Sequence, residues 1–419
     1  MTIRTFFEHT CNSTPDAPAQ VFHLDGSWTV NTYAKLRELV LQTVGILRSL
    51  DLSPTANRVA LMLENRPEWQ TIYLALATTG TTVVPIDPHL HEEEVSYVLE
   101  NSETTTIFAS ARLGNLLESL TSRLPNLRNI LLVGDPTLPE QRQTPVCGFW
   151  NYDRLMQKAA TASLELAKDW FKRHIPDTDT IASLIYTSGT TGRPKGAMLS
   201  HGNFCSNVDG TLQAVHFDRT DSFYAVLPLF HAYSFTANFM LPLWLGAKVC
   251  FMRSLRQIAE DMRQLSPTVL MTVPLMAEKM YHKAMSSVKS NFAARVLLLC
   301  GGGKLIGRKI LDSLGGKLRF LGVGGAACPI EVSRGFTRLG IPIVEGYGMT
   351  EASPEVCGSD FGVWKPGTVG RVLPNMDYKL VDVNAKGVGE LCLRGPNIMK
   401  GYFKNEAATR EVFDDEGFF

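Results

Sequence analysis

Apolar residues along this 419-residue chain recur in two forms, short unbroken runs and longer stretches with helical spacing. Residues 58–63 (Arg-Val-Ala-Leu-Met-Leu) read as a buried strand. Asn65 is placed as an N-cap with Pro67 in the first turn, and 69–78 carries the apolar spacing of a helix. The pattern then predicts strands at 82–86, 104–109 and 129–133, with helices at 92–101 and 113–124 between them. Four strands joined through helices need crossover connections, and hence a parallel sheet covered on both faces. The segment before residue 58 reads as polar.

The alternation resumes with strands at 247–252 and 268–273 and helices at 255–265 and 275–289. Strands at 318–323 and 341–344 flank a helix beginning near Pro329. From 368 onward the runs shorten to 368–372, 377–383 and 389–394, separated by Gly and Pro, which suggests a small antiparallel or barrel-like appendage. The expected fold class is α/β: two parallel-type subdomains, about 1–240 and 241–345, plus a small β subdomain over 346–419. The longest apolar stretch, 233–252, is broken by Asn238, Pro242, Gly246 and Lys248, so it reads as a helix followed by a strand and not as a membrane span.

Composition sharpens this picture only in part. Hydrophobic residues make up 45% and charged residues 20%, enough apolar material for a large core. Lys plus Arg and Asp plus Glu each number 41, so a neutral chain gives no bulk argument for nucleic acid or an anionic membrane. Peripheral membrane contact stays open. The eight cysteines never reach a CxxC spacing and read as free thiols in a reducing compartment, with the cytoplasm as the expected location.

The densest chemical signal is Tyr186-Thr-Ser-Gly-Thr-Thr-Gly-Arg-Pro-Lys-Gly196. A β-prone run empties into three hydroxyls beside Thr187, two glycines and Lys195. Glycines let exposed N–H groups form an anion-binding concavity, and a lysine adds a mobile charge for phosphate. No GK[ST] follows the first Gly, so this is not a Walker A loop. Pro194 holds Arg193 away from the α region. The loop is therefore expected to join two strands, with a helix starting only after 200–203.

These residues resemble the acyl-adenylate-forming enzymes, which include acyl-CoA synthetases, luciferases and peptide-synthetase adenylation domains. The phosphate-loop signature matches TSGTTGRPKG at 187–196, and Glu345-Gly-Tyr-Gly-Met-Thr-Glu351 is similar to a second core motif. Further matching segments follow in family order at 75–88, 227–231, 324–327, 365–370 and 389–396. The resemblance implies that Thr187, Ser188, Gly189, Thr190, Thr191, Gly192 and Lys195 bind ATP phosphates. It places adenine between Gly325–Ala326 and Tyr347, with Glu345 and Gly346 along its edge. Thr350 would approach the α-phosphate, and Thr187 and Glu351 would hold Mg²⁺, a hard cation suited to oxygen ligands. His231, Lys195 and Thr350 are the implied catalytic residues, with His231 near the reacting carboxylate.

The implied reaction activates a carboxylic acid as acyl-AMP, releasing pyrophosphate, and then forms a thioester with CoA. Peptide-synthetase domains carry an Asp where this chain has His231, and an ammonium without a counter-ion is costly to bury, which disfavours amino acids. His231, Tyr233, Gly324 and Gly325 are the expected acid-binding residues, in apolar surroundings that suit a medium- or long-chain fatty acid. Aryl acids and acyl-carrier-protein thiols remain alternatives. Gly322-Val-Gly-Gly-Ala-Ala327 also matches a dinucleotide pattern, but a dehydrogenase leaves the phosphate loop unexplained. The chain stops at Glu416-Gly-Phe-Phe419, before the family's ribose-binding Asp and small C-terminal domain. The expectation is a large N-terminal domain alone, poorly active or a non-catalytic nucleotide-binding module.

Overall fold

The computed structural model describes residues 1–52, 57–162, 164–187 and 192–419. Strands β1 (Pro18–Leu24) and β2 (Ser27–Thr32) are joined by Asp25 and Gly26, whose φ angles of 48° and 85° suit a two-residue hairpin turn. Next come β3 (Arg58–Met62), β4 (Thr82–Pro85), β5 (Thr104–Ser110), β6 (Asn129–Val133), β7 (Gln141–Gln143) and β8 (Gly148–Asn151). They are followed by β9 (Ile181–Thr187), β10 (Lys195–Ser200), β11 (Ser222–Ala225), β12 (Lys248–Phe251) and β13 (Val269–Thr272). The series ends with β14 (Phe320–Val323), β15 (Ile343–Glu345), β16 (Tyr347–Gly348), β17 (Glu355–Gly358), β18 (Arg371–Val372), β19 (Asp377–Val381) and β20 (Glu390–Arg394).

The chain forms two compact units. The first contains residues 1–16, 32–205 and 379–419, built on an eight-stranded sheet in the order β10-β9-β4-β3-β5-β6-β8-β7. Its middle is parallel, as the alternation predicts, while β9–β10 and β7–β8 pair antiparallel at the edges. Val59, Ala60, Ile107 and Ile130 are fully buried, so helices must cover both faces. The helix Pro67–Ala77 is buried from Trp69 to Ala77. Its N-cap is Arg66 and not Asn65: a residue before proline is driven to extended backbone, and Arg66 has φ −159° and ψ 159°.

The N-terminal segment is not polar in the sense expected. Helix Ile3–Ser13 buries Ile3, Phe6, Phe7, Thr10 and Cys11, one stripe at helical spacing. Helix Tyr33–Ser49 buries Leu36, Val40, Val44 and Leu47 in the same way. The helix expected over 113–124 is a short α-helix, Gly114–Leu120, between two 3-10 turns. Helix His201–Ala214 starts directly after β10, ahead of the expected point. The Ser200 N–H donates to Asn203 Oδ1 (2.8 Å) and the Asn203 N–H to Ser200 Oγ (3.2 Å), which closes the first turn there.

The second unit contains residues 17–31 and 206–378, with sheet order β15-β14-β13-β11-β12-β1-β2. Pairing is parallel from β15 through to β1. These units do not follow the divisions expected near 240 and 345. The second sheet takes in β11 and the distant β1–β2 hairpin, pairings that no local pattern encodes. The short strands expected after 346 are divided too: β16, β17 and β18 form an antiparallel sheet in the second unit, and β19 and β20 pair separately. Among the described residues, no helix is long and apolar enough to cross a membrane.

Candidate functional site

In the first unit, β9 and β10 form the antiparallel hairpin expected around the phosphate-loop signature. Thr187 lies directly opposite Lys195, and Tyr186 opposite Gly196. Gly196 has no side chain because the Tyr186 ring occupies the space, 3.1 Å from where a Cβ would stand. The Tyr186 hydroxyl donates to Asn101 Oδ1 (2.6 Å), and the Tyr97 hydroxyl donates to the Pro194 carbonyl (3.0 Å). Lys195 is half-buried, its Nζ 5.1 Å from the centre of the Tyr402 ring. Gly192 is exposed, while Ser188, Gly189, Thr190 and Thr191 lie outside the described residues.

In the second unit, a cavity of about 550 Å³ opens at the carboxyl ends of the parallel strands. The strand order places β12 on one side of β11 and β13, β14 and β15 on the other, so the chain reverses its direction of progress at β11. Connections diverge at such a switch and leave a crevice, the usual place for ligands in open α/β sheets. Segments following β11, β13, β14 and β15 all line it.

Most of the site residues expected in this unit are brought together there: His231, Tyr233, Gly324, Gly325, Glu345, Gly346, Tyr347 and Thr350 all line the cavity. Ala326 is exposed and Glu351 half-buried, and neither is a lining residue. His231 is exposed at the N-cap of helix Ala232–Phe235, its ring 4.5 Å from that of Phe230. That entry is braced from inside, where the buried Ser234 hydroxyl donates to the Leu227 carbonyl (2.7 Å). Five residues of π-helical backbone, Thr236–Met240, follow directly.

The glycines of this wall are required by their neighbours. A Cβ at Gly324 would stand 3.2 Å from the Tyr233 ring, and one at Gly322 2.5 Å from Met271 Sδ. Gly325 has φ +83°, a conformation open to glycine at no steric cost. Tyr233 is thereby laid along the glycine strand, its hydroxyl 3.5 Å from the Thr272 carbonyl, and burial pushes the phenol well above its usual range.

Glu345, at the end of β15, is 7% exposed, and burial pushes its carboxyl up against the opposing pull of the Ser333 hydroxyl. Its Oε1 is buried without a hydrogen-bond partner, an acceptor suited to an N–H of a ligand. Tyr347 is 37% exposed, which leaves a ring available for stacking. Among the described residues no cluster of three or more His, Cys, Asp or Glu could hold a metal. His89 lies against Asp87 (2.9 Å), and His91 caps the helix Glu92–Asn101. All eight cysteines are free.

Sequence reading missed several lining residues. Met271 lies in the last half of β13 and Val273 directly follows it, and the rule that ligands gather at the carboxyl ends of parallel strands would have found them. Val215, Phe217 and Glu355 also line the cavity but carry no local signal, since they reach it only through tertiary packing.

The family model described as "AMP-binding enzyme" matches residues 7–403. The peroxisomal long chain acyl-CoA synthetase 7 of Arabidopsis thaliana is 32% identical over 392 residues, covering 86% of this chain and 55% of that protein. Long-chain-fatty-acid–CoA ligase 1 of Cavia porcellus is 33% identical over 396 residues, with shares of 86% and 55%. This chain thus spans about half the length of these two relatives. Among solved structures, the N-terminal domain of FACL13 from Mycobacterium tuberculosis superposes with a TM-score of 0.76 at 18% identity, over 100% of this chain and 95% of that one. ATP-bound MatB from Rhodopseudomonas palustris gives 0.76 at 23%, over 100% and 75%. These likenesses concern the fold. Because the family pattern runs through nearly the whole sequence, the chain belongs to the AMP-binding enzyme family.

Proposed function

We propose that this chain carries the acid-activating part of an ATP-dependent acid–thiol ligase. A carboxylate oxygen attacks the α-phosphorus of ATP, pyrophosphate leaves and acyl-AMP forms; in the complete enzyme the acyl group passes to CoA. The observation that carries the reading is the largely apolar cavity at the switch of the second sheet, which gathers His231, Tyr233, Gly325, Glu345, Tyr347 and Thr350. Such a reaction asks little covalent chemistry of the protein, and mostly in-line positioning and charge compensation.

The roles follow from each group's chemistry. Tyr347 offers a ring face to the purine, with the backbone at Gly325 and Ala326 on its other face. Gly346 lies along the purine edge, where Glu345 accepts from an N–H. Lys195 and the hairpin's loop take phosphate oxygens, Thr350 donates to the α-phosphate, and His231 orients the carboxylate. Mg²⁺, when bound, neutralises phosphate charge; the oxygen donors Thr187 and Glu351 suit a hard cation that takes its remaining ligands from the nucleotide and water.

A medium- or long-chain fatty acid is the favoured substrate, supported by the apolar wall from Val215, Phe217, Met271 and Phe320. The names of the plant and guinea-pig relatives point the same way. An aryl acid, or an acyl-carrier-protein thiol as acceptor, is the second reading, and the solved neighbours include an anthranilate CoA ligase. Free thiols throughout support a reducing, cytoplasmic setting. Pyrophosphate exchange measured across a panel of alkanoic and aryl acids tests the proposal. Exchange that depends on a fatty acid supports it; nucleotide binding with no acid-dependent exchange would leave only a nucleotide-binding module.

A further inference from the structure

The chain as a whole is neutral, but the stretch from 278 to 317 in the second unit is strongly one-sided. It holds six lysines and two arginines, every one exposed, against two carboxylates, Glu278 and Asp312. Glu278 Oε1 lies 3.5 Å from His282 Nε2. Among the described residues none of the eight cations is in an ion pair.

Large apolar residues are exposed in the same stretch. Helix Phe292–Leu299 reads Phe-Ala-Ala-Arg-Val-Leu-Leu-Leu and buries no residue. Leu297 packs over Gly302, so this side of the helix faces the protein. Phe292, Val296 and Leu299 recur at i, i+4 and i+7 on the outer face, with Phe292 79% and Leu299 87% exposed. Helix Gly303–Ser313 follows after a turn at Gly301, where φ is +84°. Its inner face is set by glycine: a Cβ at Gly303 would stand 2.6 Å from the Arg338 carbonyl oxygen, and Gly307 lies against that of Leu339. Lys304, Leu305, Arg308 and Lys309 are left exposed.

A helix of large apolar side chains left in water is unfavourable unless something covers it. The charges around it decide what does. A second copy docking by the same face would bring two sets of unpaired cations together. A phosphate backbone alone would answer the cations and leave Phe292 and Leu299 in water. An anionic bilayer answers both, because apolar side chains enter the boundary between headgroups and acyl chains while lysines and arginines reach lipid phosphates.

We propose that helices Phe292–Leu299 and Gly303–Ser313 dock the chain on an anionic lipid bilayer, with Phe292, Val296 and Leu299 entering it and Lys304, Arg308 and Lys309 meeting its phosphates. Docking of this kind does not depend on the ligase reading, and it would bring the chain to where long-chain acids accumulate.

The test is flotation of the chain with vesicles of phosphatidylcholine alone, or of phosphatidylcholine with one-quarter phosphatidylglycerol, at low and high salt. An environment-sensitive fluorophore on Cys300, the one exposed cysteine among the described residues, reports contact at the helix's end. The parent should bind the anionic vesicles, shift the probe and lose binding as salt rises. Phe292→Ala with Leu299→Ala, which keeps helix propensity, should weaken binding at least about tenfold. Lys304→Gln, Arg308→Gln and Lys309→Gln together should lower affinity on the order of 100-fold, at roughly fivefold per charge, and flatten the salt dependence. Urea midpoints check that the variants fold; should the alanine pair not fold, Leu299→Gln alone supplies the apolar arm. No binding to anionic vesicles, equal binding to neutral ones, or variants that bind as the parent does would each overturn the proposal. So would a bound chain whose Cys300 probe does not shift. A parent that ignores vesicles but dimerises through Phe292 and Leu299, or takes up poly-glutamate, overturns it in favour of a second copy or an acidic protein. None of these readouts uses pyrophosphate exchange, so failure of exchange touches the ligase reading alone.

Discussion

Thr187 and Lys195 face each other across β9 and β10, so the loop between them leaves and re-enters the sheet at a single rung. A hydroxyl and a charge therefore flank the mouth of a loop rich in glycine and threonine. Lys195→Ala should lower pyrophosphate exchange on the order of 100-fold, the scale of removing one preorganised electrostatic donor. Lys195 is only half-buried, so the urea midpoint should move little. An unchanged exchange rate would remove Lys195 from the phosphate site.

Gly324 lies against the Tyr233 ring, with 3.2 Å left for a Cβ. Gly324→Ala should destabilise the protein by about 1–3 kcal/mol, as overpacking does, and narrow the cavity. Binding should weaken more for longer acids than for shorter ones. Adding Tyr233→Ala should restore stability in part, because the ring is what the methyl meets. Equal losses at every chain length would count against an acid site here.

Glu355 gives stability a pH dependence whose sign is fixed. Its carboxyl is raised from 4.5 to about 8 in the folded chain, so the native state keeps a proton that the unfolded state releases. Its contribution is complete below about pH 4.5 and is lost as pH rises towards 8, at up to about 1.4 kcal/mol per pH unit. The neighbours coupled to it, Tyr233 and Cys357, are pushed upward themselves, Cys357 to about 11, so neither gains charge over that window. Glu355→Gln should therefore grow more stable relative to the parent between pH 5 and 8, measured by urea unfolding. A constant difference would mean the carboxyl titrates normally.

His201 works in the opposite direction. Buried at the start of its helix, with Nδ1 accepting from the Ile3 N–H (3.3 Å), it is pushed down from 6.5 to about 4. The stability of its neutral form is complete above about pH 6.5 and is lost as pH falls towards 4. His201→Asn keeps an acceptor for the Ile3 N–H and should flatten the acid limb. An acid limb of unchanged steepness would place its origin elsewhere.

Asn203 is 4% exposed and ties β10's end to the chain near 396–398, its Nδ2 donating to the Pro396 (2.8 Å) and Ile398 (2.9 Å) carbonyls. Asn203→Ala strands both carbonyls and the Ser200 N–H it also serves. A loss of about 3 kcal/mol is expected. A change below 0.5 kcal/mol, the ordinary range for surface positions, would show that water replaces the bonds.

The local rules carried far along the sequence. The strand at 129–133 and the helix at 92–101 were legible to the residue, because an unbroken apolar run and an acidic first turn are signals of neighbouring residues alone. The phosphate-loop hairpin was legible because a β-prone run leads into the loop and Pro194 opposes a helix directly after it. The Asp25–Gly26 turn went unread, because the segment before residue 58 reads only as polar, although an Asp-Gly pair between short runs is a local hairpin signal.

What tertiary structure decided is which distant segments share a surface. Strand β1 pairs with β12 across more than two hundred residues, at Gln20↔Val249 and Val21↔Cys250, and moves the division between the units far from where alternation alone would put it. Glu355 reads on the page as one more carboxylate; only the absence of side chains at Gly346 and Gly358, and Asn207's hold on its backbone, make it part of a cavity wall. Periodicity records what a residue does within its own element, whereas a cavity is the space left between elements, and its lining depends on contacts that no single stretch of sequence contains.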